Sequence, residues 1–327
     1  MKEKIFIIGS SPISLMKAIL EAKKGGEVFI LEKNNILGGG WSYQNFEDLK
    51  NIELGPHYIK NRGNSYKKLK FFGVKLDDLI NDVIWLNDFK QFSNLKFFYS
   101  KLKNLARLFL GKEIKSKYLK GGSYKLVTTL IDLLESHKIK IHYNCKVMSV
   151  NQDKGELNIV SENNIFKANK CYLFSGSKID KIKINKEIIE DKYEIKNYVN
   201  IVLLFKKKIM PNKLSIKIHN PNFISFLNDL TPLTEKDRQL IGLRINQNMT
   251  KEMSISKIID ELKPLSSKIN EDNLINYKIN NLAVPYRKIN DIEKLNSVLP
   301  ESIRFIYSAD LTNGLSLLNI EPFYQKS

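Results

Sequence analysis

Gly9, Ser11, Ser14 and Glu32 are the residues whose types and spacing first suggest chemistry. The segment Gly9-Ser10-Ser11-Pro12-Ile13-Ser14 follows an apolar run, Lys4–Ile8, and precedes a stretch with helical apolar spacing. A turn that opens a helix in this way aims backbone N–H groups and the positive end of the helix dipole at an anion. Glu32 ends a second apolar run, Glu27–Leu31. An acid about 20 residues beyond such a turn accepts hydrogen bonds from ribose hydroxyls, so the pattern points to a nucleotide with its pyrophosphate at the helix start. The G-x-G-x-x-G spacing keeps only Gly9; Ser11 and Ser14 hold the second and third positions. The second glycine normally lets the backbone approach the pyrophosphate, so Ser11 is expected to weaken or reposition the ligand, whereas position 14 needs only a small residue. On this turn alone, a Rossmann unit that binds no dinucleotide stays open.

The elements that must position these residues are legible around them. Lys4–Ile8 and Glu27–Leu31 are short continuous apolar runs of the buried parallel-strand type. Leu15–Ala22 between them has helical spacing, and Gly25-Gly26 returns the chain. Just beyond Glu32 lies Ile36-Leu37-Gly38-Gly39-Gly40-Trp41-Ser42, whose three glycines let backbone amides crowd a ligand without interfering Cβ atoms. Later, Lys120-Gly121-Gly122-Ser123-Tyr124 precedes an amphipathic helix, Leu126–Leu134. Ile139–Tyr143 and Lys146–Val150 read as strands, Leu157–Val160 and Ile165–Ala168 as an alternating hairpin, and Lys170–Phe174 as a further strand. Ser302–Asp310 is a strand ending in an acid, followed by Gly314.

With these blocks in order, the sequence resembles the FAD-binding oxidoreductases of the amine-oxidase and phytoene-desaturase type, and their relatives the UDP-galactopyranose mutases. The resemblance covers most of the chain and is most specific over residues 4–41. It implies an α/β fold: a Rossmann-like FAD domain with a parallel sheet and a β-meander, plus an inserted α+β substrate domain. The implied division gives residues 1–57, 119–189 and 285–327 to the FAD domain, and 58–118 and 190–284 to the substrate or cap domain. The strands Val199–Phe205, Phe223–Phe226 and Leu240–Ile245 would form an antiparallel substrate-domain sheet, with a helix over Lys251–Leu262. The cofactor contacts it implies are Gly9, Ser11, Pro12, Ile13, Ser14, Glu32, Lys33, Gly39, Gly40, Trp41, Asp310 and Gly314, with Val147 meeting the adenine through its backbone. Asn51–Tyr58 resembles the family strand whose Gly-x-His lies near the flavin ring, which makes His57 a catalytic candidate beside Tyr286 and Arg287. The family's glycine before the late acid is Ala309 here.

Composition narrows the partners. The chain is 43% apolar and 27% charged, as expected of a globular protein that folds around a core. Two cysteines exclude a disulfide scaffold, and four scattered histidines offer no metal-ligand spacing. The net charge of +18 comes from 47 Lys and only 6 Arg, spread along the whole chain. Specific nucleic-acid readers favour Arg and concentrate it, so no specific nucleic acid is expected, while contact with an anionic membrane surface stays open. No apolar run reaches the length of a membrane span. With no secretory leader before Lys4, a cytoplasmic protein is expected. The aromatic-rich stretch 58–118 is expected mainly to pack a core, with an apolar substrate channel as the alternative.

Three functional readings follow. The first is an FAD-dependent oxidoreductase whose flavin accepts a hydride from a C–N or C–C bond of a small molecule. Arg287 would suit an acidic or phosphorylated substrate, with a surface salt bridge as its plain alternative. The second is a non-redox flavoenzyme of the UDP-galactopyranose mutase type, acting on a nucleotide sugar. The third is a degenerate Rossmann protein without catalysis, which Ser11 favours and Glu32 with Gly38–Trp41 opposes.

Overall fold

The computed structural model describes residues 2–53, 59–60, 65–78, 84–92, 98–99, 102–103, 105–106, 109–110, 116–174, 176–210, 215–230, 237–246 and 253–306. The chain opens as expected with β1 (Lys4–Ile8), α1 (Pro12–Lys23) and β2 (Glu27–Leu31). A hairpin of β3 (Tyr43–Phe46) and β4 (Leu49–Glu53) follows the glycine loop. Then come β5 (Ile59–Lys60), α2 (Ser65–Phe71), β6 (Leu76–Asp78), β7 (Ile84–Leu86) and β8 (Ser116–Leu119). The amphipathic run forms α3 (Gly122–Ser136), leading into β9 (Lys140–His142), β10 (Val147–Asp153), β11 (Glu156–Ser161), β12 (Ile165–Ala168) and β13 (Lys170–Phe174).

Five of these segments build a wholly parallel sheet in the order β21-β13-β1-β2-β9, with β21 at Ile303–Ile306. β1 sits at its centre because four of its five side chains are apolar and must be covered on both faces. Ile5 and Ile7 face α1 and α3, packing with Leu15, Ile19, Leu126 and Leu130. Phe6 and Ile8 face the opposite way, against Val150, Leu157 and Ile159 of the β-meander. The strand order reverses at β1, so the crevice at its carboxyl end is where an open α/β sheet takes a ligand. That end carries Gly9–Ser14.

The meander β12-β11-β10 is extended by β14 (Lys181–Ile184), parallel to β10, and β15 (Glu187–Ile189). A second large sheet runs β20-β16-β19-β18-β17-β7, comprising β16 (Glu194–Phe205), β17 (Ser215–Ile218), β18 (Ile224–Asp229), β19 (Gln239–Ile245) and β20 (Leu274–Tyr286). It is antiparallel except where β7 joins β17. One face is covered by α4 (Ile255–Leu262), a helix shorter than the spacing predicts because Ser254 caps it. After α5 (Ile289–Val298) the chain returns to the parallel sheet as β21. The expectation of core packing over 58–118 holds for Phe72 and Phe89, which are buried, and fails for Phe71, Phe98, Tyr99 and Phe109, which face solvent.

Glu21 is a buried acid on α1, paired with Lys17 at 2.7 Å. Burial pushes its carboxyl up, but the hydrogen bond and charge of Lys17, helped by Lys24, outweigh this and hold it below its ordinary value of 4.5. A lowered native value means the carboxylate stabilises the fold above the unfolded-state value and loses that contribution as pH falls through the native one. The wild type should therefore melt higher than Glu21→Gln at neutral pH. The gap should close on acidification below about pH 4.5, in thermal unfolding followed across a pH series.

Candidate functional site at the carboxyl end of the parallel sheet

The Gly9 amide donates to the Leu31 carbonyl at 2.9 Å, so the first turn lies against the end of β2. Glu32 is only 3% exposed. Its Oε2 accepts the Ser10 hydroxyl at 2.6 Å and its Oε1 accepts the Asn34 amide at 2.9 Å. Ser10 in turn accepts the Gly38 amide, at 3.0 Å through its carbonyl and 3.2 Å through its hydroxyl. Turn, acid and glycine loop are thus one hydrogen-bonded unit. A carboxylate has roughly four acceptor positions, so two remain for further donors.

Ser11 is the N-cap of α1: its hydroxyl accepts the Ser14 amide at 3.3 Å and shares a 2.7 Å hydrogen bond with the Ser14 hydroxyl. Its φ of −58° needs no glycine, and Pro12 at the next position has the fixed φ a helix start uses. Gly39 approaches closely from the other side; a Cβ there would lie 3.6 Å from Ser11 Cα, and its φ of +55° would strain a side chain. Gly38, at φ +114°, backs onto Val127, which a Cβ would meet at 3.1 Å. Trp41 closes the loop and is buried in the α1–α3 core.

The loop between β9 and β10 is tied to the same strand end: Glu32 N–H donates to His142 O at 2.9 Å, and Cys145 N–H to Glu32 O at 2.8 Å. This places Val147, the first residue of β10 and buried, beside the acid's strand. A polar cleft of about 340 Å³ lies here, lined among others by His142, Asn144, Lys146, Ser161 and Glu162.

A second buried acid was not singled out from the sequence. Glu53, at the end of β4, accepts the Ser123 amide at 3.0 Å, a carboxylate at the N-terminus of α3 where Gly121 turns the chain with φ +81°. The Ser123 hydroxyl is fully buried and finds no partner among the described residues. The hairpin that carries Glu53 also anchors the large sheet: Phe46, Leu49 and Ile52 pack on Val202, Leu204 and Leu240. Arg238 pairs with Asp48 through two hydrogen bonds of 2.7 and 2.9 Å. Further along the same face stand Tyr198, Asn200, Asn228 and Arg244, with Arg244 Nε at 3.5 Å from Asn200 Oδ1. Asn228 Nδ2 is buried without a partner among the described residues.

No protein-family model matches the chain, and no curated protein matches it. Solved structures do. Putrescine oxidase with putrescine bound aligns at a TM-score of 0.66 over 97% of this chain and 96% of that one, at 11% identity. A protein assigned as a protoporphyrinogen oxidase from an Exiguobacterium species aligns at 0.65 over 97% and 96%, at 11% identity. An oxidoreductase from Methanosarcina mazei aligns at 0.62 over 84% and 87%, at 13% identity. This chain shares the fold of these solved oxidoreductases. Identity this low carries the architecture and leaves the reaction to the site.

Within this fold, Gly9, Ser11, Pro12, Ile13, Ser14, Glu32, Gly39, Gly40 and Trp41 cluster at the carboxyl end of β1, and Lys33 is exposed beside them. His57, Asp310 and Gly314 lie outside the described residues. Tyr286 ends β20 with the Lys196 ammonium 3.3 Å from its ring centroid. Arg287 is 1% exposed and forms a bidentate pair with Asp191, its Nε at 2.7 Å from Oδ1. Its guanidinium also lies over the rings of Tyr193 at 4.7 Å and Phe305 at 5.0 Å. This is a buried structural clamp between the chain entering β16 and β21, not a surface salt bridge. Sequence could not show it because its partner lies 96 residues away. Among the described residues no cluster of three or more His, Cys, Asp or Glu is placed to hold a metal. Cys145 and Cys171 are free and buried, and burial pushes both thiols above their ordinary range.

Removing one partner of the clamp leaves a buried charge, so Arg287→Leu should lower stability by about 3–5 kcal/mol, and Asp191→Leu combined with it should recover much of that loss. Urea unfolding of the two single variants and the double variant measures the coupling. Ser10→Ala removes the shortest hydrogen bond to Glu32 and should cost about 1–3 kcal/mol, read in the same assay.

Proposed function

We propose that this chain is an FAD-dependent oxidoreductase acting on a C–N or C–C bond of a small organic substrate. The observation that carries the reading is the closed unit of Gly9–Ser14, Glu32 and Gly38–Trp41 at the switch point of the parallel sheet. Its donor set fits the adenosine half of FAD. Glu32 keeps acceptor capacity for ribose hydroxyls, the first turn of α1 faces the pyrophosphate, and Val147 stands on the adenine side. Ser11 is accommodated by serving as the helix cap, a role that turns its hydroxyl onto Ser14.

FAD, when bound, would supply the redox chemistry by taking a hydride from the substrate. The chain's own residues would bind and orient. Glu32 and the α1 N-terminus would hold the nucleotide, and the Gly38–Gly40 loop would let the backbone approach it. The substrate would lie against the face of the large sheet that carries Tyr198, Asn200, Asn228 and Arg244. Support for this side comes from the β3–β4 hairpin, which joins that face to the glycine loop, and from the buried unsatisfied amide of Asn228. The fold shared with putrescine oxidase makes amines the first class to try.

The reading is tested by loading the protein with FAD, excluding oxygen and adding amines, putrescine among them, then compounds whose saturated C–C bond can be dehydrogenated. Loss of the oxidised flavin absorbance with one class supports it. A protein that holds FAD but is reduced by none of them contradicts the oxidoreductase assignment and favours non-redox flavin chemistry. Ser11→Gly should retain FAD at least as well as the wild type by equilibrium dialysis, since the cap it supplies is replaceable at a cost of a few tenths of a kcal/mol.

A further inference from the structure

The two faces of the large sheet differ in kind. One is apolar and covered by α4. The other meets the cofactor end twice: through the β3–β4 hairpin, and at Gly176, just past β13, where a Cβ would lie 3.7 Å from Val284 Cγ1 of β20. Alternation along the strands puts Tyr198 and Asn200 of β16, Arg244 of β19, and Phe226 and Asn228 of β18 on this second face. Arg244 stands between Asn200 on one neighbouring strand and Phe226 on the other. Its Nε lies 3.5 Å from Asn200 Oδ1, and its guanidinium carbon 5.3 Å from the Tyr198 ring centroid. Stacking of this kind uses the flat of the guanidinium, whereas a carboxylate is read at its edge. Asn228, opposite Gly242, is a diagonal neighbour of Arg244, with Cβ atoms at such positions about 7–8 Å apart. Its Oδ1 accepts the Ser215 hydroxyl, while its Nδ2 is buried without a partner among the described residues.

Charge indicates the ligand. The same face carries Lys196, Lys217 and Lys278, and its one acid among the described residues is Glu194, exposed at the far end of β16. The hairpin packed on it brings three acids, each engaged in a contact of its own. Asp48 pairs with Arg238, Glu47 accepts the Asn276 amide, and Glu53 accepts the Ser123 backbone amide. A simple diamine would therefore set an ammonium group beside a guanidinium, and like charges in a partly desolvated site repel. A carboxylate reverses the sign. One guanidinium balances its single charge through two parallel hydrogen bonds, and the Asn228 amide supplies a neutral donor nearby.

We propose that the substrate carries a carboxylate and that Arg244 is the residue that selects it. The inference rests on the reading of this face as the substrate side of an FAD enzyme. Its test is isothermal titration of the FAD-loaded full chain with two pairs of compounds matched in carbon skeleton. One pair is 4-aminobutyrate and putrescine; the other is 3-phenylpropionate and 3-phenylpropylamine. In at least one pair the carboxylate should bind about tenfold or more tighter than its amine counterpart. Arg244→Gln should abolish that preference, and Arg244→Lys should keep part of it, since lysine retains the charge without the planar fork. Both variants should hold flavin in the wild-type ratio, because Arg244 stands on the substrate side. Absence of a carboxylate preference in both pairs, or a preference that survives in Arg244→Gln, overturns the proposal while leaving the cofactor reading intact. A chain that holds no flavin fails the cofactor reading itself, and this inference falls with it.

Discussion

The carboxylate of Glu32 is the charge around which the cofactor end of the molecule is arranged. A buried carboxylate is costly unless donors surround it, and here the Ser10 hydroxyl and the Asn34 amide supply them. Ser10 also accepts the Gly38 amide, so one side chain fixes the spacing of three segments: the β1–α1 turn, the end of β2 and the glycine loop. From there the constraint spreads outward. The glycine loop leads into the β3–β4 hairpin, the hairpin caps α3 through Glu53, and its apolar side lies on the large sheet. The proposed cofactor and substrate sides are therefore mechanically joined through about twenty residues of chain.

Much of the parallel-sheet region was legible because its signals are local. β1 and β2 are continuous apolar runs that only a doubly covered sheet can bury, and the turn between them carries its own helix cap. The meander followed from the partial apolar alternation of Leu157–Val160 and Ile165–Ala168. The large sheet was legible only in its buried strands, β16, β18 and β19. Its edge strand β20 is interrupted by Asn276, Asn280 and Asn281, with little burial to announce it, and it exists because β16 pairs with it along nearly its whole length. Composition there reads as loop; pairing decides otherwise.

The site divides in the same way. Gly9, Glu32 and Gly38–Trp41 were recognisable from spacing, whereas Ser10 was passed over as a variable position of the turn, although a hydroxyl next to Gly9 and opposite an acid is itself a signal. Glu53 ends a short strand that also carries Lys50 and Asn51, so its residue type did not set it apart. Arg287 shows the limit most clearly. From sequence Arg287, one of six arginines, read as either a substrate contact or a surface salt bridge, and only the fold brings Asp191, Tyr193 and Phe305 around it. The aromatic residues of 58–118 divided: composition suggested core packing, which holds for Phe72 and Phe89, whereas Phe98, Tyr99 and Phe109 face solvent.

The central claim is that Glu32 organises a site for the adenosine half of FAD. Isothermal titration of FAD into the flavin-free wild type and into Glu32→Gln tests it most directly. Glutamine keeps the size of the side chain but replaces one acceptor oxygen by a donor and removes the charge. The account predicts saturable, stoichiometric FAD binding by the wild type and an affinity lower by about tenfold or more in the variant, the worth of a charge-assisted hydrogen bond. Equal affinity for the two proteins, or no binding of FAD by a correctly folded wild type, would contradict it.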